Sequence, residues 1–389
     1  MEFDKVPAIS KYLSVIFLFG WLGRSTVWNF LPVYFEQHIT SVFLIGILTS
    51  LPAIIPILID IPVGNLVQRA GERIVLFTGL IVSLLSPVLY LTAIPAFLIL
   101  GKVSEGLTKA LVWNSGWSLN LKSADPEYES ESISVFFLGM NLAIVIGPII
   151  GGFLIASNGF KLPFYLWMFT TVLGLALYYV YVGIATKKSV FESLKALERK
   201  NTYIDDWQHL TDNWEHLKQP FMLVFLYSII FSFYWLAIPL LLNEINASYP
   251  EMGIVFGLAL VPKLFQFAFG EVADKIGNLN SVKWMSLFLA VFLAALSQFS
   301  NLYIVAGLFF FARLLSGGMS PPIHSFFDSR VPDELEGEMM GFFELFKHIG
   351  QAIGPIMAGA IADVYGVSSS FLLAAVIAVA IAVTSFIYS

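Results

Sequence analysis

Long apolar runs alternate with short polar breaks along the whole chain. Each run is about 20 residues long, the length that an α-helix needs to cross a hydrocarbon core of about 30 Å. The runs predict twelve membrane-spanning helices, over residues 12–35, 41–67, 73–93, 96–121, 133–157, 162–185, 221–243, 250–273, 282–299, 302–328, 338–363 and 368–388. Several runs contain proline or glycine, which spans tolerate because neighbouring helices and water satisfy the released backbone groups.

The composition agrees with a membrane location. Of the 389 residues, 58% are hydrophobic and only 12% are charged, whereas soluble domains carry about 25% charged residues. The chain has no cysteine, which excludes disulfides and thiolate metal sites. The net charge of −6 indicates no particular partner, because the acidic residues crowd a few loops. We therefore expect an all-α integral membrane protein that is surrounded by the lipid bilayer and binds no nucleic acid.

The loops differ in basic charge between the two membrane faces. With an even number of spans, both termini lie on one face. That face carries fourteen lysine and arginine residues, namely Lys5, Lys11, Arg69, Arg73, Lys122, Lys187, Lys188, Lys195, Arg199, Lys200, Lys218, Lys275, Lys283 and Arg330. The opposite face carries only Lys161. Because basic loops stay on the cytoplasmic side, we predict that both termini are cytoplasmic.

The chain also repeats itself. Residues 262–277, PKLFQFAFGEVADKIG, match residues 56–71, PILIDIPVGNLVQRAG, and further matched blocks follow in the same order, at offsets of 206 to 211 residues. Such a repeat predicts two copies of one structural unit. We expect two pseudo-symmetric six-helix bundles, over residues 1–185 and 221–389, joined by a cytoplasmic linker over 186–220. Apolar residues at helical spacing near 190–197 predict a short amphipathic helix in that linker.

The repeated loop resembles a known family. A span ending in G-x-L-A-D-R-x-G-R-K before the next span is similar to the cytoplasmic loop signature of the major facilitator superfamily. The matching positions are Gly64, Leu66, Arg69, Gly71 and Arg73 in the first copy, and Gly270, Asp274, Lys275 and Gly277 in the second. Gln68 replaces the acidic residue of the first copy. The resemblance implies that these residues gate the cytoplasmic side, and that the two bundles rock around a central cavity.

Two other motifs also resemble signatures of the major facilitator superfamily. Lys102 and Gly106 stand where many exporters of this superfamily carry an R-x-x-x-G signature on the fourth span. The sequence GPIIGG resembles the antiporter signature of drug–proton exporters through Gly147, Pro148, Gly151 and Gly152, and Gly354 and Pro355 repeat its first two positions in the second half. These glycines have a purely structural explanation as well, because small residues let helices approach closely.

Charged residues inside the predicted spans are the candidates for function. A charge at the bilayer centre costs roughly 2.5–3.5 kcal/mol on translocon scales, so it faces a bundle interior or a water-filled cavity. The candidate substrate and proton pathway comprises Arg24, Trp28, Asp60, Lys102, Glu105, Lys109, Arg313, Glu344, Lys347 and His348.

Local spacing relates several of these candidates to one another. Lys102, Glu105 and Lys109 share one helix face, which suits either an internal ion-pair ladder or a proton or substrate site. Arg24 can bind a guest together with its tryptophan neighbours, or can simply neutralise Asp60 or Glu105. Glu344 lies one helical turn from Lys347 and His348, which predicts a local network.

The sequence contains no P-loop and no metalloprotease or hydrolase motif. We therefore predict a monomeric secondary transporter of the plasma membrane, not an enzyme, with no cofactor and no metal. The expected activity is proton-coupled export of a small amphipathic compound by alternating access. Since bases outnumber acids in the spans, an organic-anion carrier of the same fold is an alternative. A membrane-embedded lipid-handling enzyme using Glu105 or His348 as base is another.

Overall fold

The computed structural model describes residues 5–184, 202–262 and 266–387, and this part of the chain is helical nearly throughout, with no strand. The prediction of an all-α protein is therefore confirmed. The predicted amphipathic segment at 190–197 lies outside the described residues. The longer helices are α1 (Ala8–Trp28), α2 (Leu31–Glu36), α3 (Val42–Ala70), α4 (Glu72–Val82), α5 (Leu85–Tyr90), α6 (Pro95–Ser123), α7 (Glu129–Asn158), α8 (Lys161–Tyr181), α9 (Thr202–Asp212), α10 (Trp214–Glu244), α11 (Tyr249–Leu260), α12 (Gln266–Ile276), α13 (Asn278–Leu296), α14 (Leu302–Gly318), α15 (Ser320–Asp328), α16 (Glu336–Tyr365) and α17 (Val367–Ile387).

Within the described residues, three predicted spans, 12–35, 73–93 and 302–328, are each split into two helices, and proline explains each break. The predicted span 250–273 falls on α11 and α12, and residues 263–265 between them lie outside the described part of the chain. Proline has no N–H group and cannot bond the carbonyl four residues earlier. Pro32 therefore cannot donate a helical hydrogen bond to the carbonyl of Trp28, and α1 ends at Trp28. Pro87 has the same effect where α4 gives way to α5, and Pro321 has it between α14 and α15.

Eight helical stretches of the described residues are long and apolar enough to cross a membrane by length and hydropathy alone. Helix α6 is not among them, although it has 29 residues. Its charged residues Lys102, Glu105 and Lys109 lower its hydropathy. The same charges therefore make α6 a candidate for function and lower its mean hydropathy below that of the eight apolar stretches.

The chain divides into two compact units, and the division does not follow the two halves of the sequence. The first unit contains Met1–His38, Ile54–Glu198 and Ser248–Gly257, and the second contains Ile39–Ala53, Arg199–Ala247 and Leu258–Ser389. Each unit therefore includes a short segment from the other half of the sequence. The predicted boundaries of the bundles and of the linker stay a prediction. Helix α10 begins at Trp214, which is earlier than the start at residue 221 that the sequence predicted for the seventh span.

Glycines allow close helix packing within each unit. In the first unit, a Cβ on Gly147 or Gly151 of α7 would overlap Ser25 or Thr26 of α1. In the second unit, a Cβ on Gly354 of α16 would overlap the backbone of α10. The α1–α7 and α10–α16 pairs thus pack with backbones in contact, which larger side chains would prevent.

Candidate functional site

A cluster of buried polar groups lies inside the first unit. It consists of Arg24 from α1, Tyr90 from the end of α5, and Lys102 and Glu105 from α6, and we call it the buried ionic cluster. Arg24 Nη2 lies 3.0 Å from Glu105 Oε2, and Lys102 Nζ lies 3.1 Å from Glu105 Oε1. The Tyr90 hydroxyl donates a hydrogen bond to Glu105 Oε1. Glu105 therefore connects three helices through its two oxygens.

The buried ionic cluster is almost sealed from solvent. The exposed fraction of the side chain is 10% for Arg24, 3% for Lys102 and 1% for Glu105. Two cations share one carboxylate, and ionised groups in such a dry site persist only when they are paired and hydrogen-bonded. Glu105 is thus the counter-ion that makes both cations tolerable at this depth.

Aromatic rings enclose the cluster. The Arg24 guanidinium lies 4.7 Å from the ring centre of Trp21 and 5.5 Å from that of Trp28, within the range of cation–π attraction. Lys102 Nζ lies 5.5 Å from the ring centre of Phe35. The spacing of Trp21, Arg24 and Trp28 along α1 places both tryptophans on the face of the arginine.

Sequence reasoning missed Tyr90. Its ring fills the space beside Gly101, where an added Cβ would overlap it, and its carbonyl accepts a 2.5 Å hydrogen bond from the Tyr34 hydroxyl. A tyrosine buried in an apolar run needs a hydrogen-bond partner for its hydroxyl. The position of Tyr90 within such a run therefore indicated that it binds a polar residue. The partner itself is remote in sequence, so spacing could not identify it.

The other charged candidates of the first unit lie on α3 and α6. Asp60 of α3 accepts a 3.1 Å hydrogen bond from the Asn114 amide of α6. Both side chains are partly exposed, in contrast to Glu105. Lys109 lies one turn beyond Glu105 on α6 and is half-buried. The sequence did not single out Asn114, whose role depends on the packing of α3 against α6.

The second unit holds a cation in a different setting. Arg313 of α14 is half-buried, and its guanidinium lies 4.9 Å from the ring centre of Phe231 and 5.4 Å from that of Tyr234, both on α10. Among the residues that the structure describes, no ion pair involves Arg313. Arg313 is thus stabilised by the faces of two aromatic rings, whereas Arg24 is stabilised by the carboxylate of Glu105 as well.

The remaining charged candidates lie on α16. Lys347 Nζ binds both carboxylate oxygens of Glu344, at 2.7 and 2.8 Å. The exposed side-chain fractions are 37% for Glu344 and 29% for Lys347, so this pair contacts solvent. His348 is buried beside them, at 8% exposure.

The two signature loops share one backbone feature. Gly71 and Gly277 have φ angles of 102° and 90°, in the region that favours glycine, and each precedes the next helix. Arg73 Nη1 donates to the Val182 carbonyl at 2.9 Å, which ties the first loop to the end of α8. Gly64 and Gly270 have no atom within 4 Å of an added Cβ, and the Arg69, Asp274 and Lys275 side chains are exposed.

Comparison with known proteins decides the family. The model of the Major Facilitator Superfamily matches residues 13–221 and 220–389. The chain belongs to the Major Facilitator Superfamily. It is thus a multi-pass membrane transporter and not an enzyme, and the predicted fold class is confirmed.

Relatives from this superfamily cover nearly all of the chain. The quinolone resistance protein NorA of Staphylococcus aureus is 25% identical over 361 residues, which are 91% of this chain and 89% of NorA. An uncharacterised MFS-type transporter of Methanocaldococcus jannaschii is 23% identical over 371 residues, 94% of each chain. Both similarities extend across the two sequence halves.

Solved structures of superfamily members share the fold. A bacterial homologue of the human lysosomal transporter Spinster, in an inward-facing and unoccupied conformation, has a TM-score of 0.78 at 12% identity, covering 97% of this chain and 96% of its own. The human organic anion transporter MFSD10 has a TM-score of 0.67 at 16% identity, covering 97% of this chain and all of its own. At these identities the likeness concerns the fold alone.

Proposed function

We propose that this transporter exports an amphipathic organic compound across the plasma membrane in exchange for protons, with both termini in the cytoplasm. One observation carries the choice of substrate class: α1 and α14, one helix from each sequence half, each hold a guanidinium against two aromatic rings. Rings combined with a fixed charge suit a compound that has both an apolar body and a polar group. The similarity to a quinolone resistance protein supports export.

A specific observation favours an anionic group on that compound. Arg24 already shares Glu105 with Lys102, whereas no ion pair of the described residues involves Arg313. A half-buried cation inside a membrane-spanning helix is costly unless water, an anion or a substrate reaches it. An organic-anion carrier is therefore the second candidate, and Arg313 would bind the anionic group.

The geometry also separates the candidate proton carriers. A carrier must exchange its proton with water, and Glu105 is 1% exposed between two cations. Asp60 is partly exposed and accepts a hydrogen bond from the Asn114 amide, and Glu344, although it is paired with Lys347, is 37% exposed. We therefore assign proton coupling to Asp60 or Glu344, and a counter-ion role to Glu105.

Ligand binding tests the substrate class. Matched anionic, neutral and cationic amphiphiles of equal size would be titrated against the purified parent protein, Arg313→Gln and Arg24→Gln. A hydrogen bond to a charged group contributes about 1.5–3 kcal/mol, so Arg313→Gln should weaken binding of the anionic member roughly tenfold to a hundredfold. The neutral member should bind the parent and Arg313→Gln equally. Preference of the parent for the cationic member, or anion binding unaltered by Arg313→Gln, would contradict the anionic assignment.

Flux in proteoliposomes tests transport and coupling. An imposed pH gradient should drive accumulation of the amphiphile against its concentration gradient, and a protonophore should abolish it. Asp60→Asn or Glu344→Gln should remove uphill transport while keeping downhill exchange. Accumulation that ignores the pH gradient would contradict proton coupling, and absence of any flux would contradict the proposed substrate class.

A further inference from the structure

The N-terminus of α3 is capped by a carboxylate from another part of the chain. Asp363, near the end of α16, accepts hydrogen bonds from the Ser41 hydroxyl at 2.6 Å, from the Val42 amide at 2.6 Å and from the Phe43 amide at 3.1 Å. The first amides of a helix have no partner within the helix and favour a nearby negative charge. Asp363 thus completes the first turn of α3.

This contact joins the two halves of the sequence within the second unit. The start of α3 lies against α16 so closely that a Cβ on Gly46 would overlap the Pro355 carbonyl, and one on Gly359 would overlap the Val42 carbonyl. The start of α11 lies against α7 in the first unit in the same way, through Gly253 with Pro148 and Gly152 with Tyr249. Each of these positions has its counterpart 207 residues away, so the two contacts are copies of one another.

The two copies differ in their hydrogen bonds. The position equivalent to Asp363 is Ala156, whose side chain has no atom that can accept a hydrogen bond. The equivalent helix α11 is capped from within, because Glu251 accepts bonds from the Ser248 amide at 2.8 Å and the Ser248 hydroxyl at 2.6 Å. The start of α3 is therefore capped both by the adjoining Ser41, which accepts from the Leu44 amide at 3.3 Å, and by Asp363 from the other sequence half, whereas α11 is capped by its own residues.

A second position shows the same difference. Ser50 of α3 donates a 2.6 Å hydrogen bond to the Ala352 carbonyl of α16. Its counterpart is Gly257, which has no side chain to donate. The α3–α16 contact thus has polar bonds at two positions where the α7–α11 contact relies on backbone packing alone.

We propose that Asp363 is a positioning residue of the transport cycle, which latches α3 to α16 and releases it when the membrane face opposite the termini opens. Alternating access requires the two sequence repeats to move relative to one another, and separation of α3 from α16 would break all three bonds to Asp363. Opening would leave the α11 cap intact, because that cap is internal. This role does not depend on which substrate is carried.

The absence of native cysteine makes the latch measurable. In the Ser50→Cys background, the introduced thiol replaces a fully buried hydroxyl, so its alkylation by N-ethylmaleimide in membranes reports separation of α3 from α16. Loss of a helix N-cap costs about 1 kcal/mol, which corresponds to a factor of about five in an equilibrium constant. Adding Asp363→Ala should therefore accelerate alkylation about fivefold, and Asp363→Asn, which keeps one acceptor oxygen but loses the charge, should act in the same direction to a smaller extent.

Glu251→Ala is the matched control, because it removes the side-chain cap of the equivalent helix without touching a contact between the sequence halves. Its alkylation rate in the Ser50→Cys background should stay within twofold of the parent rate. A rate for Asp363→Ala within twofold of the parent, or an equal acceleration by Glu251→Ala, would overturn the proposal. Melting temperatures of all variants, measured in parallel, separate a conformational shift from general destabilisation.

Hydrogen exchange on the unaltered protein gives a readout that needs no variant. The amides of Val42 and Phe43 should exchange at least tenfold more slowly than unstructured amides, because Asp363 accepts from both. A ligand that arrests the protein with α3 released should remove this protection. Unprotected amides in the ligand-free protein would overturn the proposal.

Discussion

Removal of the carboxylate at the centre of the buried ionic cluster should destabilise the protein severely. Glu105→Gln keeps the size of the side chain but leaves Arg24 and Lys102 without their shared counter-ion. Breaking a buried ion pair by removing one partner costs about 3–5 kcal/mol, because an uncompensated charge stays behind. Solvent screens these charges only weakly, since the three side chains are at most 10% exposed, so the full free-energy cost is expected.

The expected effect is large enough for a simple thermal assay. One kcal/mol shifts the melting temperature by about 2–4 °C in a domain of 150–250 residues, so Glu105→Gln should lower it by roughly 6–20 °C. The assay is thermal unfolding of the detergent-purified protein, followed by fluorescence. Size-exclusion chromatography would confirm that the variant is folded at low temperature.

Two further variants show whether charge causes the loss. Glu344→Gln makes the same chemical change at a carboxylate that is 37% exposed, and exposed pairs contribute about 0.2–1 kcal/mol. Its melting temperature should therefore stay within a few degrees of the parent. Glu105→Gln combined with Lys102→Met restores the original excess of one cation and should recover part of the loss. Unchanged stability of Glu105→Gln, or no recovery in the double variant, would refute the counter-ion role.

Two other predictions follow from the first unit. Tyr90→Phe removes one donor to Glu105 and should cost about 1.5–3 kcal/mol, less than Glu105→Gln; an unchanged melting temperature would contradict the bond. Gly147→Ala should cost about 1–3 kcal/mol because its Cβ would overlap Ser25, whereas Gly64→Ala, with nothing within 4 Å of its Cβ, should leave the melting temperature nearly unchanged. Equal melting temperatures for the two alanine variants would contradict this packing argument.

The sequence predicted the helices well and their partners less well. Apolar runs fix the spans because each must cross the same hydrocarbon thickness, and the i, i+3 spacing of Lys102 and Glu105 anticipated the pair that the structure contains. The breaks at Pro32 and Pro87 were readable but depend on whether the released carbonyls find other partners. The prediction treated those spans as continuous.

Tertiary partners explain what the sequence could not show. Tyr90, Asn114 and Asp363 each bind a residue on another helix, and nothing in their own neighbourhood specifies which residue that is. The end of the predicted span at 363 made Asp363 look like an ordinary boundary residue. Its role follows only from the approach of α16 to the first turn of α3.

The two sequence repeats differ in how they neutralise a cation at equivalent positions. The block that begins with Lys102 matches the block that begins with Arg313, and Ser316 then stands at the position of Glu105. The first repeat neutralises its cation three residues later on the same helix, and the second repeat has a hydroxyl there that donates to the Arg313 carbonyl. The glycines that pack the helices are kept in both repeats, so the fold does not require the carboxylate at both positions. In the first repeat the charges pair across helices, whereas in the second repeat the Arg313 guanidinium lies against the rings of Phe231 and Tyr234. We therefore propose that the arginine of the second repeat, and not the ion-paired cations of the first, is the group that meets a ligand.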